Sequence, residues 1–427
     1  MLSQPRCKSM ELRDTSLPVL VLQMQHHGAL GVIRSLGRLG VRVYGVHPTR
    51  RPPASFSTYC RKVFALDLDR TPPQQSVDCL MEIARGIGAM PLLMPTNDES
   101  ALFVARNASR LREGFLFPTN PVQVVWSLYN KKAMHLLAKR LSIPTPNTVF
   151  PESLKDVLEF CETARFPVML KASDNIHTVG RAGKKMVIAR SQDELIGQYN
   201  AMEDGSNPSL MIQEYIPGGD DSVWMLNGYF DENSECLFSI TAKKIRQTPP
   251  YTGMTALGIC LPNPAIESAT TTLVRAVGYK GILDIGYRYD PRDGAYKLLD
   301  VNPRLGATFR LFVGDNGMDV TRAEYLHFTE QPVPVSNICT GRKWIVEDAD
   351  LVSCIRYYRD GVLTLRDWLG SYRGITECAW YAADDLMPFF RRCSSFSIRP
   401  FRKMFKEAGA LVRSASERVV RNVDTTL

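Results

Sequence analysis

The chain has 427 residues, 44% hydrophobic and 22% charged, the composition of a soluble protein too long for one ordinary core, so two or three domains are expected. No apolar run approaches the roughly 18 to 20 residues of a membrane span, and ten scattered cysteines without CxxC pairs favour reduced thiols in a cytoplasmic protein over disulfides or zinc. The formal charge of +8 is lopsided: beyond residue 387 nine Lys and Arg face three acids while the remainder is nearly neutral, so a general nucleic-acid surface is not indicated.

Residues 1–16 lack an apolar signal core and read as a flexible tail. "VLVLQ" at 19–23 then predicts a buried strand, and "HHGALGVIRSLGRLG" a glycine-bearing turn running into a helix. "VRVYGVH", "KVFAL" and "PLLMPT" predict three more strands, the last after a helix at 74–88. Strands alternating with helices imply right-handed βαβ units and a parallel sheet, hence a Rossmann-like domain over 17–120. Gly28 and Gly31 stand three apart with no third glycine in register, so the dinucleotide fingerprint is missing and a dinucleotide-dependent oxidoreductase is disfavoured. They are expected instead to form a tight strand-to-helix turn. His26 and His27 read as turn residues before they read as catalysts. "TNDES" at 96–100 opens a helix with acids in its first turn; capping explains that pattern, and the end of a parallel strand is also where a substrate would sit.

"NKKAMHLLAKRLSIPTPNTVF" predicts a helix that ends in a Pro-rich turn and enters a strand. "FPVMLKAS" is a strand closed by Lys171, and the loop from Ser173 to Lys185 carries Gly180 and Gly183, whose backbone can approach a polyphosphate. Strands follow in "MVIARS", "LMIQEYIPGG", "SVWMLNGYF" and "CLFSITAKKI", then a helix near 265–278. "GILDIGYRYD" and "YKLLDVNP" are two strands joined by "PRDGA", a hairpin signal. In that hairpin Asp284, Asp300 and Asn302 can converge. Two carboxylates and an amide oxygen suit magnesium, which keeps waters and completes its shell with nucleotide phosphates. Lys131, opening a helix, and Lys171 are placed to reach such phosphates. "KKIRQTPPYTG" at 243–253 carries Lys244 and Arg246, for which a solvated edge and contact with an acyl phosphate or a substrate carboxylate are equally weighted.

In this order, "NKKAMHLLAKRLSIPTPNT", "PVMLKAS", the glycine loop, "IQEYIPGG" and "LLDVNPR" resemble the ATP-grasp superfamily over roughly residues 125–330. "RSLGRLGVRVYGV" and "YDPRDGAYKLLDVNPR" are similar to the standalone carboxylate–amine ligases, including D-aspartate ligase. The resemblance implies an α/β chain with a Rossmann-like domain followed by an ATP-grasp domain over 121–334, the nucleotide lying between its two subdomains. It implies ATP and one or two Mg2+ ions, a small or carrier-linked carboxylate, and an amine such as an amino acid. Oligomeric state stays open.

Position by position, Lys131 and Lys171 match the phosphate-contacting lysines. Gln213, Glu214, Tyr215 and Ile216 match the hinge strand whose backbone holds adenine, with Asp220 or Asp221 near the ribose. Asp300 and Asn302 match metal ligands, and Arg304 the arginine facing the transferred phosphoryl group or acyl phosphate; Lys244 and Arg246 join the catalytic candidates. Two departures stand out. Asp300 is a methylene shorter than the family's usual glutamate. Gly286, in Ile285-Gly286-Tyr287, stands where another acid is common, and Asp284, two residues away on the same face, is the expected substitute. A non-catalytic ATP-binding module with a degenerate metal site is therefore the alternative reading. Residues 335–387 form an extension whose fold the pattern does not define. Residues 388–427 form a basic amphipathic tail, for which packing on the protein is preferred over an anionic membrane.

Overall fold

The computed structural model describes residues 10–172, 186–203 and 210–395. Gly180, Gly183 and the tail beyond residue 395 lie outside the described residues. No helix of the described residues is long and apolar enough to cross a membrane, and the described cysteines are all free thiols.

The first sheet is built from β1 (Val19–Leu22), β2 (Val43–His47), β3 (Cys60–Ala65) and β4 (Leu92–Pro95) in the order β3-β2-β1-β4. Every pairing is parallel, as the alternation of strands and helices predicts. All of β1 is buried, consistent with its unbroken apolar run. The helix His27–Gly37 follows it and corrects the expected turn: Gly28 and Gly31 lie within this helix. A methyl at Gly28 would meet the Ala307 backbone at 2.8 Å, and one at Gly31 the Phe309 ring at 2.7 Å. These glycines let the helix lie directly on the segment that follows the "DVNPR" strand.

The second sheet is antiparallel in all its pairings and holds β5 (Thr148–Val149), β6 (Val168–Ala172), β7 (Met186–Ala189) and β8 (Leu210–Glu214) in the order β5-β8-β6-β7. The third and largest contains β9 (Val223–Phe230), β10 (Cys236–Thr248), β11 (Met254–Cys260), β12 (Gly281–Asp290), β13 (Ala295–Asn302), β14 (Lys343–Ile345) and β15 (Ile375–Cys378). Its order is β13-β12-β9-β10-β11-β14-β15. β12 and β13 form the expected hairpin. Its turn is tied down by the fully buried Asp290, which accepts from Arg292 and pairs with Lys297 at 2.6 Å.

Residues beyond 335 supply β14 and β15 and so extend this sheet. Ion pairs fasten them. Arg34 meets Asp385 at 2.9 Å with both side chains buried, and Arg310 and Arg342 both reach Glu377. Burial alone would raise the Glu377 carboxyl, yet these two guanidiniums hold it at about 2.

Candidate active site

The hairpin register decides which polar side chains meet. Asp284 pairs with Asn302 and Gly286 with Asp300, putting these four positions on one face. Asn302 Nδ2 lies 3.1 Å from Asp300 and 3.5 Å from Asp284. Gly286 has a physical reason to lack a side chain: a Cβ there would stand 2.5 Å from Asp300 Oδ1. The Asp300 carboxylate thus lies over the space that an acid at 286 would need. Gly306 serves Asp284 the same way, since its Cβ would meet the Asp284 carboxyl carbon at 2.6 Å. Burial, opposed by Arg304 and reinforced by Asp300, raises Asp284 above the usual carboxylate range.

Cations surround this acidic pair. Arg304, just past β13, reaches Asp284 at 3.4 Å and Asp98 at 2.9 Å. Asp98 opens the helix Asp98–Arg106, whose Asn97 cap and Ser100 form a reciprocal capping box. The "TNDES" segment therefore caps a helix and also reaches the site. Lys244 on β10 is tucked in, its ammonium donating to the Gly253 carbonyl at 2.8 Å. Burial lowers its pKa, and Asp300, Asp284 and Asp220 oppose the shift. Lys171, on β6 of the second sheet, donates to Gln213 at 2.9 Å, and Lys131, at the start of the helix Lys131–Arg140, donates to the Ala172 carbonyl at 3.2 Å. Burial, then the charge of Lys131, pushes Lys171 down to about 8, with Asp300 pulling the other way. Lys132 points elsewhere, half-exposed, 3.6 Å from Glu152.

Several expected residues are occupied otherwise. Arg246 is a correction: its guanidinium is buried in a two-bond pair with the fully buried Asp350, at 2.7 and 2.9 Å, and donates to Ser371. It anchors the 335–387 extension to β10 and offers no free face to a substrate. The Glu214 carboxylate pairs with Arg292 at 2.8 Å and Lys297 at 3.3 Å, leaving only its backbone for a hinge role. Tyr215 lies beneath Arg288, which donates to the carbonyl of Ile216 at 3.0 Å. Asp220 accepts from Gln247 and from the Tyr357 hydroxyl. Asp221 remains largely exposed, 3.5 Å from Lys243. His27 is buried between Trp344 and Trp380, its pKa pushed down to about 3 by burial and by the nearby His26 and Arg392.

Among the described residues no group of three or more His, Cys, Asp or Glu side chains could hold a metal by itself. The donor set of Asp284, Asp300 and Asn302 fits magnesium that draws its remaining ligands from water and phosphate oxygens. It does not fit a closed protein cage.

Comparisons with known proteins bear on the fold and on the sequence. The solved structure of an L-amino acid ligase from Bacillus licheniformis superposes with a TM-score of 0.53 at 15% identity, covering 70% of this chain and 69% of that one. N5-carboxyaminoimidazole synthetase from Staphylococcus aureus, complexed with ADP, gives 0.57 at 11% identity, covering 76% and 80%. The chain has the ATP-grasp fold. In sequence it is similar to the D-aspartate ligase of Enterococcus faecium, 25% identical over 246 residues, which is 54% of this chain and 57% of that ligase. The chain thus spans little more than half the length of that relative. No family model matches it.

Proposed function

We propose that the protein is an ATP-dependent ligase that joins a carboxylate to an amine. One observation carries the reading: Lys171 and Lys244 from two sheets, Arg304 from just past β13 and Lys131 from the start of a helix gather around the Asp284, Asp300 and Asn302 set. A cluster of partly buried cations around a small oxygen-donor set suits a polyphosphate far better than it suits a neutral ligand. The similarity to a D-aspartate ligase supports the same reading.

The chemistry needs no nucleophile from the protein. A carboxylate oxygen of the substrate attacks the γ-phosphorus, the bond to the bridging oxygen breaks, and ADP leaves with the electron pair. The amine nitrogen then attacks the acyl carbon of the resulting acyl phosphate. The C–O bond to phosphate breaks, phosphate departs, and the nitrogen gives up a proton to become an amide. Lys131 and Lys171 hold and neutralise the phosphates, and Arg304, fixed by Asp98, faces the transferred group. Magnesium, as one or two ions held by Asp284, Asp300 and Asn302, would supply charge neutralisation at the phosphates. Lys244, on β10 two strands along the sheet from β12, adds positive charge beside the acidic pair.

The alternative of a module without turnover was motivated by the missing acid at Gly286. Asp284, opposite Asn302 on the same face, supports turnover without that acid. The test is a screen of small carboxylates paired with amino acids for ATP-dependent phosphate release, followed by mass measurement of the product. A product whose mass equals the two substrates less one water is expected. Nucleotide binding without phosphate release for any pair would favour the module instead.

A further inference from the structure

Beside Arg304 lies a cavity of about 60 Å3 that the proposed chemistry does not use. The helix Asp98–Arg106 forms one wall through Ala101 and Val104, and the start of β12 another. Glu324, on the helix Val320–Phe328, lines it as well. Glu324 is 4% exposed and, among the described residues, makes no hydrogen bond or ion pair. Its polar neighbours are already satisfied: the Tyr279 hydroxyl donates to the Ile282 carbonyl at 2.6 Å, and the Asn120 amide bonds the Lys280 backbone in both directions. Burial alone pushes the Glu324 carboxyl up to about 8. A lone buried carboxyl costs stability unless a ligand brings it donors.

We propose that this cavity binds the amine substrate, a compact primary ammonium no larger than a small amino acid, with its nitrogen held by Glu324. The inference rests on the ligase reading, since it assigns the second substrate of that site. At about 10–15 Å3 per water-sized probe, 60 Å3 takes on the order of four to six non-hydrogen atoms, the size of glycine or alanine. Glu324 offers its carboxyl to the ammonium, while Arg304 and Lys280, which also line the cavity, suit the carboxylate of a small amino acid; an apolar group would leave Glu324 unpaired. Arg304 belongs both to this lining and to the acidic pair, where it lies 3.4 Å from Asp284. The cavity therefore shares a wall with the reacting centre, where an amine must arrive after the carboxylate has been activated.

The experiment measures melting temperature for the full chain with magnesium and a non-hydrolysable ATP analogue, then adds glycine, alanine, methylamine or tryptophan. The analogue's own shift reports the nucleotide site, and the additional shift reports the cavity. Glycine, alanine or methylamine should raise the melting temperature further and tryptophan should not. The extra shift should vanish in Glu324→Gln, and also in Ala101→Leu, which fills the cavity from the opposite wall. In turnover, Glu324→Gln should raise the KM for the amine on the order of 100-fold, because a buried ion pair loses one partner. An extra shift that persists undiminished in both variants would overturn the proposal. So would the absence of any extra shift beside a normal nucleotide shift. Absence of the nucleotide shift itself would count against the ligase reading instead.

Discussion

Gly286→Ala is a one-carbon test of how the acidic pair is built. The added Cβ would sit 2.5 Å from Asp300 Oδ1, about 0.9 Å short of ordinary contact, so the carboxylate has to retreat by nearly an ångström. Asp300 cannot do so freely, because Asn302 donates to its other oxygen at 3.1 Å. Gly286 is not among the glycines with positive φ, so alanine fits the backbone there. Replacing a strand glycine removes an entropic cost of roughly 0.5–1 kcal/mol, which offsets part of the strain. Stability should therefore change little, while displacement of a phosphate-organising ligand by about 1 Å should lower turnover on the order of 100-fold. The assay pairs magnesium-dependent ADP release with a melting curve. Turnover within about twofold of wild type, at unchanged stability, would refute the placement of Asp300 at the reacting centre.

Three further outcomes follow from the same geometry. With its pKa lowered to about 8, Lys171 is charged below that pH and neutral above it, so ATP affinity should fall as pH rises through 8; in Lys171→Met the fall should be absent and affinity low throughout, as titration calorimetry would register. Lys131→Ala should weaken nucleotide binding on the order of tenfold, whereas Lys132→Ala, which loses only a half-exposed pair with Glu152, should stay within about twofold. Arg246→Met leaves Asp350 buried without its cation, with the Tyr372 hydroxyl and Cys354 thiol still donating to it, a loss of about 3–5 kcal/mol by denaturant titration; Arg246→Met with Asp350→Leu should recover most of it, and additive losses would show the pair to be uncoupled.

Much of the site was legible because strands write their faces into the sequence with a period of two. Asp284, Asp300 and Asn302 are placed from spacing in the hairpin, and the register brings them together; Lys131 and Lys171 follow from strand and helix ends and from the ATP-grasp resemblance. What escaped was long-range. Arg246 looked like a site cation because its partner, Asp350, is 104 residues away in a segment with no recognisable pattern. The strands β14 and β15 have only three and four residues; β14 gains its pairing from β11, far off in sequence, and β15 from β14. Gly28 and Gly31 read as a turn because glycine signals both a bend and a close approach; only the contact with Ala307 and Phe309 separates the two. The Asp98–Arg304 contact spans 206 residues and hid behind a helix cap that needed no further explanation. Glu324 lies in a short helix where an acid normally faces water.

The most direct test of the central claim compares wild type with Asp300→Asn under one substrate pair from the screen, recording ATP affinity and magnesium-dependent ADP release side by side. Wild type should release ADP in step with amide product. Asp300→Asn should keep most of its nucleotide affinity yet lose turnover by orders of magnitude, since one ligand charge is gone from the site. Near-normal ADP release by Asp300→Asn would contradict the account.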